Sequence, residues 1–300
     1  MPEDSNKQRA TFENVIAMII SGSIGIFVIY SGQSAPNVVF FRCLVAAIVL
    51  IPYCWLNGLF RREYLATRDV AYVLVAGILM VINWVLLFQA YPLTSISWAT
   101  IVYHINPFII LMGGAVFFGQ ALTRHTVIWT AIAFGGLFLL SGVSADLREL
   151  SGREGYGLTL VLVATTLYSG TTLLMKKNSA VPPTLAVCLQ TIVGTFILAP
   201  FLSVTALPAT AFSWACVITL GIVHTFLLYY LIFKSIKTLD VRSIAILSFI
   251  YPLSAAGLDF LFFGHTLSGI QWLGAAIIFA STLAIKLGWN LFPKSSRRSV

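Results

Sequence analysis

From Val70 to Leu87 the chain runs eighteen residues without a charged side chain, and the apolar residues fall on every helical face. A half-buried soluble helix keeps a polar stripe, and this stretch has none. As a helix at ~1.5 Å per residue it nearly crosses the ~30 Å hydrocarbon core of a bilayer. Ten stretches of this kind occur. They lie near Asn14–Tyr30, Pro36–Leu56, Val70–Tyr91, Ser95–Phe118, Thr126–Ser144, Leu158–Met175, Thr184–Val204, Ala211–Phe233, Val241–Phe263 and Ile270–Trp289. A transmembrane β-barrel would need alternating apolar and polar residues in segments of about ten, and the runs are too long and too uniformly apolar for that. The gaps are too short to fold alone, so function has to lie within the membrane. Only 9% of residues are charged, against roughly a quarter in soluble domains, which leaves too few charges to cover a water-exposed surface.

The net charge of +8 is spread through the short gaps, with no basic run or face for nucleic acid. It reads instead as orientation. With the N-terminus inside, ten spans return the C-terminus inside. The inner segments and span ends then carry Lys7, Arg9, Arg61, Arg62, Arg68, Arg124, Lys176, Lys177, Lys234, Lys237, Arg242, Lys286, Lys294, Arg297 and Arg298. The outer segments carry Arg148 and Arg153, beside Asp146, Glu149 and Glu154. Such an asymmetry is the positive-inside rule at work. Cys43, Cys54, Cys188 and Cys216 all fall in apolar stretches without CxxC spacing and read as small buried hydrophobes. The first apolar run lacks a cleavage site and reads as a span rather than a signal peptide.

A shift of 145 residues superposes the two halves. Pro107 meets Pro252 in an Ile-x-Pro pair, and Phe117-Phe118-Gly119-x-x-Leu122 meets Phe262-Phe263-Gly264-x-x-Leu267. Each half holds five spans, an odd number, so the second copy has to sit upside down. The expected fold is an all-α integral membrane protein of ten helices. It comprises two inverted five-helix repeats, 1–147 and 148–300, around a central cavity with both termini cytoplasmic. In such carriers broken helices at matching places hold the solute near the midplane.

These residues also carry a resemblance. Pro36, Phe41, Arg42, Ala46 and Ala47 look like the second-helix pattern of EamA-type members of the drug/metabolite transporter superfamily. Ile105-x-Pro107 through Gly119-x-x-Leu122 resembles its fourth-to-fifth helix signature, repeated from Pro252 to Leu267. Gln120 and His265 stand where the family often has Glu. The resemblance implies a bacterial inner-membrane exporter of small metabolites, with helices 1, 3, 4, 6, 8 and 9 around the cavity. In overall likeness the chain is most similar to the YddG-type exporters of aromatic and other neutral amino acids.

The candidate cavity residues are Asn83, Trp84, Tyr103, His104, Tyr168, His224, Ser248 and Tyr251, polar or aromatic groups deep in spans. Pro107 and Pro252 are candidate kinks or hinges that free the carbonyls of Tyr103 and Ser248. Arg42 and Asp259 are structural or gating charges. Arg42 either snorkels, binds free helix carbonyls, or attracts a substrate carboxylate. The small residues Ser21, Gly22, Ser23 and Gly25, and Thr165 to Thr172, mark spans that approach the axis closely.

No cofactor or metal set is visible, no protein partner is implied, and no nucleophile–base pair points to an enzyme. The sequence therefore reads as a carrier for amino acids or similar solutes. Proton binding at depth usually falls to a carboxylate, and no Asp or Glu lies at a span midpoint, so a facilitator is expected. The alternative, a proton-coupled multidrug or cationic-metabolite efflux carrier, would use histidine or Asp259.

Overall fold

The computed structural model describes residues 2–94, 96–143, 152–263 and 266–289. Gly264, His265, the segment 144–151 and the residues from 290 onward lie outside them, as does the side chain of Asp259. Ten helical spans are long and apolar enough to cross a membrane, and no strand occurs among the described residues. The side chains that face outward, such as Val116, Phe196 and Leu261, are apolar and exposed, as a lipid-facing surface requires.

Three spans are broken and one carries a wide turn. The first consists of α1 (Pro2–Ser21) and α2 (Ile24–Ser31), parted at Gly22–Ser23. It begins well before Asn14, because the polar residues from Pro2 onward extend the helix beyond the apolar run. The second span is α3 (Ala35–Leu56). A short helix, α4 (Arg62–Leu65), leads to the third span, α5 (Asp69–Ala90). The fourth is split into α6 (Ile96–Tyr103) and α7 (Asn106–Phe118), and α8 (Arg124–Ser141) is the fifth. Then follow α9 (Gly152–Lys177) and α10 (Pro183–Leu198), the latter continued by one 3-10 turn. The eighth span is α11 (Ala211–Gly221), a π-helical stretch at Ile222–Leu227, and α12 (Leu228–Thr238). The ninth is α13 (Val241–Leu247) and α14 (Ile250–Phe263), and the tenth is α15 (Gly269–Lys286).

The two mid-span breaks, at His104–Ile105 and at Ser248–Phe249, fall within one residue of equivalent places under the 145-residue shift. Each proline sits just inside the second half-helix, where its missing N–H costs nothing. Residues 145 apart also meet each other. Trp84 packs edge-on against Tyr229, and His104 lies 5.9 Å from Phe249 between ring centroids.

The packing is closest where side chains are smallest. Helix α8 meets α15 with almost no side chain between them. A Cβ built on Gly274 would stand 2.5 Å from the carbonyl oxygen of Gly136 and 2.5 Å from the backbone nitrogen of Leu140. Backbone cannot yield as a flexible side chain can. Gly274→Val is therefore expected to lower stability by about 1–3 kcal/mol or more, the range for overpacking a well-filled interior. A fall in the thermal unfolding midpoint in detergent checks this, and an unchanged midpoint would mean the helices separate freely.

The two ends of the bundle differ. At the end where α1 begins, α7 lies on α13 through Ile110, Leu111, Val241 and Ala245. Gln120 Oε1 accepts from Val241 N (3.1 Å), and Arg242 donates to the Ala121 carbonyl. Glu13 pairs with Lys234, and Asn14 donates to Ser235 (2.9 Å). Lys176 donates to the carbonyls of Ile236 and Leu239, 2.8 and 2.6 Å away, satisfying the end of α12. At the opposite end the chains diverge around an open vestibule of about 510 Å³, between Gly25 and Tyr30 on α2, Ser97 and Thr100 on α6, and Ala255 and Ala256 on α14.

Candidate functional site

At the level of the two breaks lies a second, smaller cavity of about 70 Å³. Its walls are aromatic: Trp84 and Phe88 from α5, Tyr91 just beyond it, Tyr168 from α9 and Tyr229 from α12. The breaks contribute Tyr103, His104 and Asn106 from one side, Ser248 and Tyr251 from the other. Tyr91 and Tyr251 line both this cavity and the vestibule, so these rings form the shared wall.

Arg42 reaches the cavity from α3 and is fully buried. Its Nε donates to Thr225 Oγ1 (2.8 Å) and its Nη2 to the His224 carbonyl (2.7 Å). Both acceptors belong to the π-helical stretch. Widening to i→i+5 bonding disturbs the regular ladder and turns a carbonyl outward, and the Thr225 hydroxyl itself donates five residues back to Leu220 (2.8 Å). Gly221 permits the approach, since a Cβ there would stand 2.5 Å from Val45 and 3.2 Å from the Arg42 carbonyl. The guanidinium also lies 4.0 Å from the Trp84 ring centroid, a cation–π contact, and Trp84 donates to Tyr229 OH (3.0 Å). Arg42 therefore does not snorkel; it binds a helix carbonyl. No carboxylate among the described residues pairs with it.

His104 Nδ1 lies 2.7 Å from the Thr100 carbonyl, and its ring stacks on Tyr251 with centroids 5.2 Å apart. The imidazole also packs on Phe249, at 5.9 Å between ring centroids, which ties the two breaks together. The carbonyls that the prolines leave free are both partnered. Tyr103 O accepts from Thr165 (2.6 Å), and Ser248 O accepts from Tyr251 N (3.2 Å).

The sequence profile of the EamA-like transporter family matches residues 13–142 and again 155–287. The chain belongs to the EamA-like transporter family. It is 36% identical to the uncharacterized transporter YxxF of Bacillus subtilis over 283 residues, covering 93% of this chain and 90% of that one. An uncharacterized transporter of Archaeoglobus fulgidus is 23% identical over 90% of this chain and 93% of its own length. A solved crystal structure shares the fold, with a TM-score of 0.79 at 18% identity, covering 93% of this chain and 96% of that one. The protein is thus a multi-pass membrane transporter and not an enzyme.

Within this EamA-like chain the structure brings Trp84, Tyr103, His104, Tyr168, Ser248, Tyr251 and Arg42 to one cavity. Asn83 stands behind the wall. With its amide turned so that both ends are satisfied, its Nδ2 donates to Ala164 O (2.8 Å) and Tyr103 OH (3.2 Å), which orients that tyrosine. His224 does not line the cavity. Its ring is held by Ser23 Oγ (2.8 Å) and packs on Phe27, at the break in the first span. Pro107 and Pro252 flank the breaks, and Pro252 lines the vestibule. Sequence reasoning left Phe88, Tyr91, Asn106 and Tyr229 off the candidate wall. Tyr229 could have been found, because it is the repeat equivalent of Trp84.

Proposed function

We propose that this transporter exports small neutral amino acids, aromatic ones included, across the inner membrane by alternating access. It works as a facilitator driven by the substrate gradient. The observation that carries this reading is the composition of the cavity wall: aromatic rings, hydroxyls and one buried guanidinium, with no carboxylate among its described lining residues. Such a wall suits a partly apolar solute with an anionic end and repels a cationic drug. The same lack of a carboxylate supports transport without proton coupling.

The two halves act as inverted repeats, as the equivalent breaks and the contacts between equivalent residues favour. The lysines and arginines orient the N-terminal end to the cytoplasm. The structure then corresponds to an outward-facing form, with α7 and α13 closed on the cytoplasmic side and the vestibule open outside.

The test is counterflow in proteoliposomes, loaded with unlabelled amino acids and given labelled phenylalanine, threonine or methionine outside without a pH gradient. Uptake that depends on the internal amino acid is expected. Signal that appears only with a pH gradient, or only with cationic drugs, would replace this reading with coupled efflux.

A further inference from the structure

Two polar atoms in the cavity wall have no hydrogen-bond partner. One is Arg42 Nη1, on a side chain with no exposed surface. The other is Asn106 Oδ1, on a side chain 2% exposed. Buried polar atoms are nearly always partnered, because each has given up its hydrogen bonds to water. Both residues belong to the wall of the same small cavity. The guanidinium is permanently charged, and its other two donor atoms are already fixed to Thr225 and His224. What remains is one charged donor for an anion and one neutral acceptor for a donor.

The size of the space adds a second constraint. A water's share of liquid volume is roughly 30 Å³, so about 70 Å³ corresponds to about two waters or one compact polar head group. The head group of an α-amino acid has five heavy atoms: the α-carbon, the ammonium nitrogen and the carboxylate. Its side chain does not fit as well. Beyond the shared rings of Tyr91 and Tyr251 lies the vestibule of about 510 Å³.

We infer that the inner cavity is a head-group site for the zwitterion of an α-amino acid. Arg42 Nη1 donates to the carboxylate, Asn106 Oδ1 accepts from the ammonium, and the side chain passes between Tyr91 and Tyr251 into the vestibule. The assignment rests on the amino-acid transport proposed above. It explains how one carrier can demand an amino-acid head yet accept side chains of different size, since only the head is enclosed. Asn106 carries no charge, so the ammonium is recognised without a carboxylate that would bind amines by themselves.

The test uses labelled phenylalanine counterflow with two competitors: 3-phenylpropionate, which lacks the ammonium, and 2-phenylethylamine, which lacks the carboxylate. Each is expected to compete at least about tenfold more weakly than phenylalanine, the loss of one charge-assisted hydrogen bond. Asn106→Leu should bring the inhibition constants of phenylalanine and phenylpropionate to near equality. Phenylethylamine competing as well as phenylalanine would overturn the carboxylate assignment while leaving amino-acid transport intact. Unchanged discrimination in Asn106→Leu would overturn the ammonium assignment. If no amino acid exchanges, direct binding of labelled phenylpropionate decides. Binding that is lost in Arg42→Lys keeps the anion site and rejects amino-acid transport, and no binding rejects both.

Discussion

Arg42→Ala should reduce transport to background and lower the unfolding midpoint at the same time. The substitution removes two hydrogen bonds from a charged donor, each worth roughly 1.5–3 kcal/mol. It leaves the His224 carbonyl of the π-helical stretch without its partner in a place water does not easily reach, and it removes the cation that Trp84 covers. Transport falls by about a hundredfold or more if the remaining guanidinium nitrogen also holds the substrate. Thr225→Val separates the two roles. It deletes the Nε partner and costs stability, but leaves the cavity wall unchanged, so binding is expected to survive. Counterflow at matched protein amounts and thermal unfolding in detergent measure both. An Arg42→Ala protein with normal transport and an unshifted midpoint would remove Arg42 from the site.

The second large effect is expected at the closed end. A Cβ on Gly114 would stand 2.9 Å from the Cβ of Val241, closer than the ~3.8 Å of a disulfide, so the two helices must part slightly for the bond to form. Oxidising a Gly114→Cys, Val241→Cys double variant should pin α7 to α13 and abolish counterflow, and a reductant should restore it. The four native cysteines are buried, so they compete little for the oxidant. Alternating access requires this crossing to part in each cycle. Complete crosslinking with undiminished transport would mean that solute passes without opening this end.

The spans were legible in the sequence because hydrocarbon tolerates little else than long apolar helices. Pro107 and Pro252 pointed to the breaks, although the turn residues lie two to four positions earlier, at or next to the carbonyls of Tyr103 and Ser248 that each proline leaves without its helical donor. Other features had no such signal. The break at Gly22–Ser23 hid among residues that read as packing, and Gly22 does pack, with a Cβ there only 2.8 Å from the Ala255 nitrogen. The π-helical stretch leaves no mark on hydropathy, which is why His224 read as a cavity residue when its backbone, not its ring, serves Arg42. The partners of Arg42 lie some 180 residues away in sequence, and only the fold brings them to it.

The glycine seam between α8 and α15 has a mechanical consequence. Each helix ends one of the two stretches that match the family profile, and their backbones touch with no side chain to act as a cushion. Such a seam resists sliding and lifting far more than it resists turning. Motion of α8 against α15 is therefore expected to be a turn about an edge, small beside the seam and growing with distance from it.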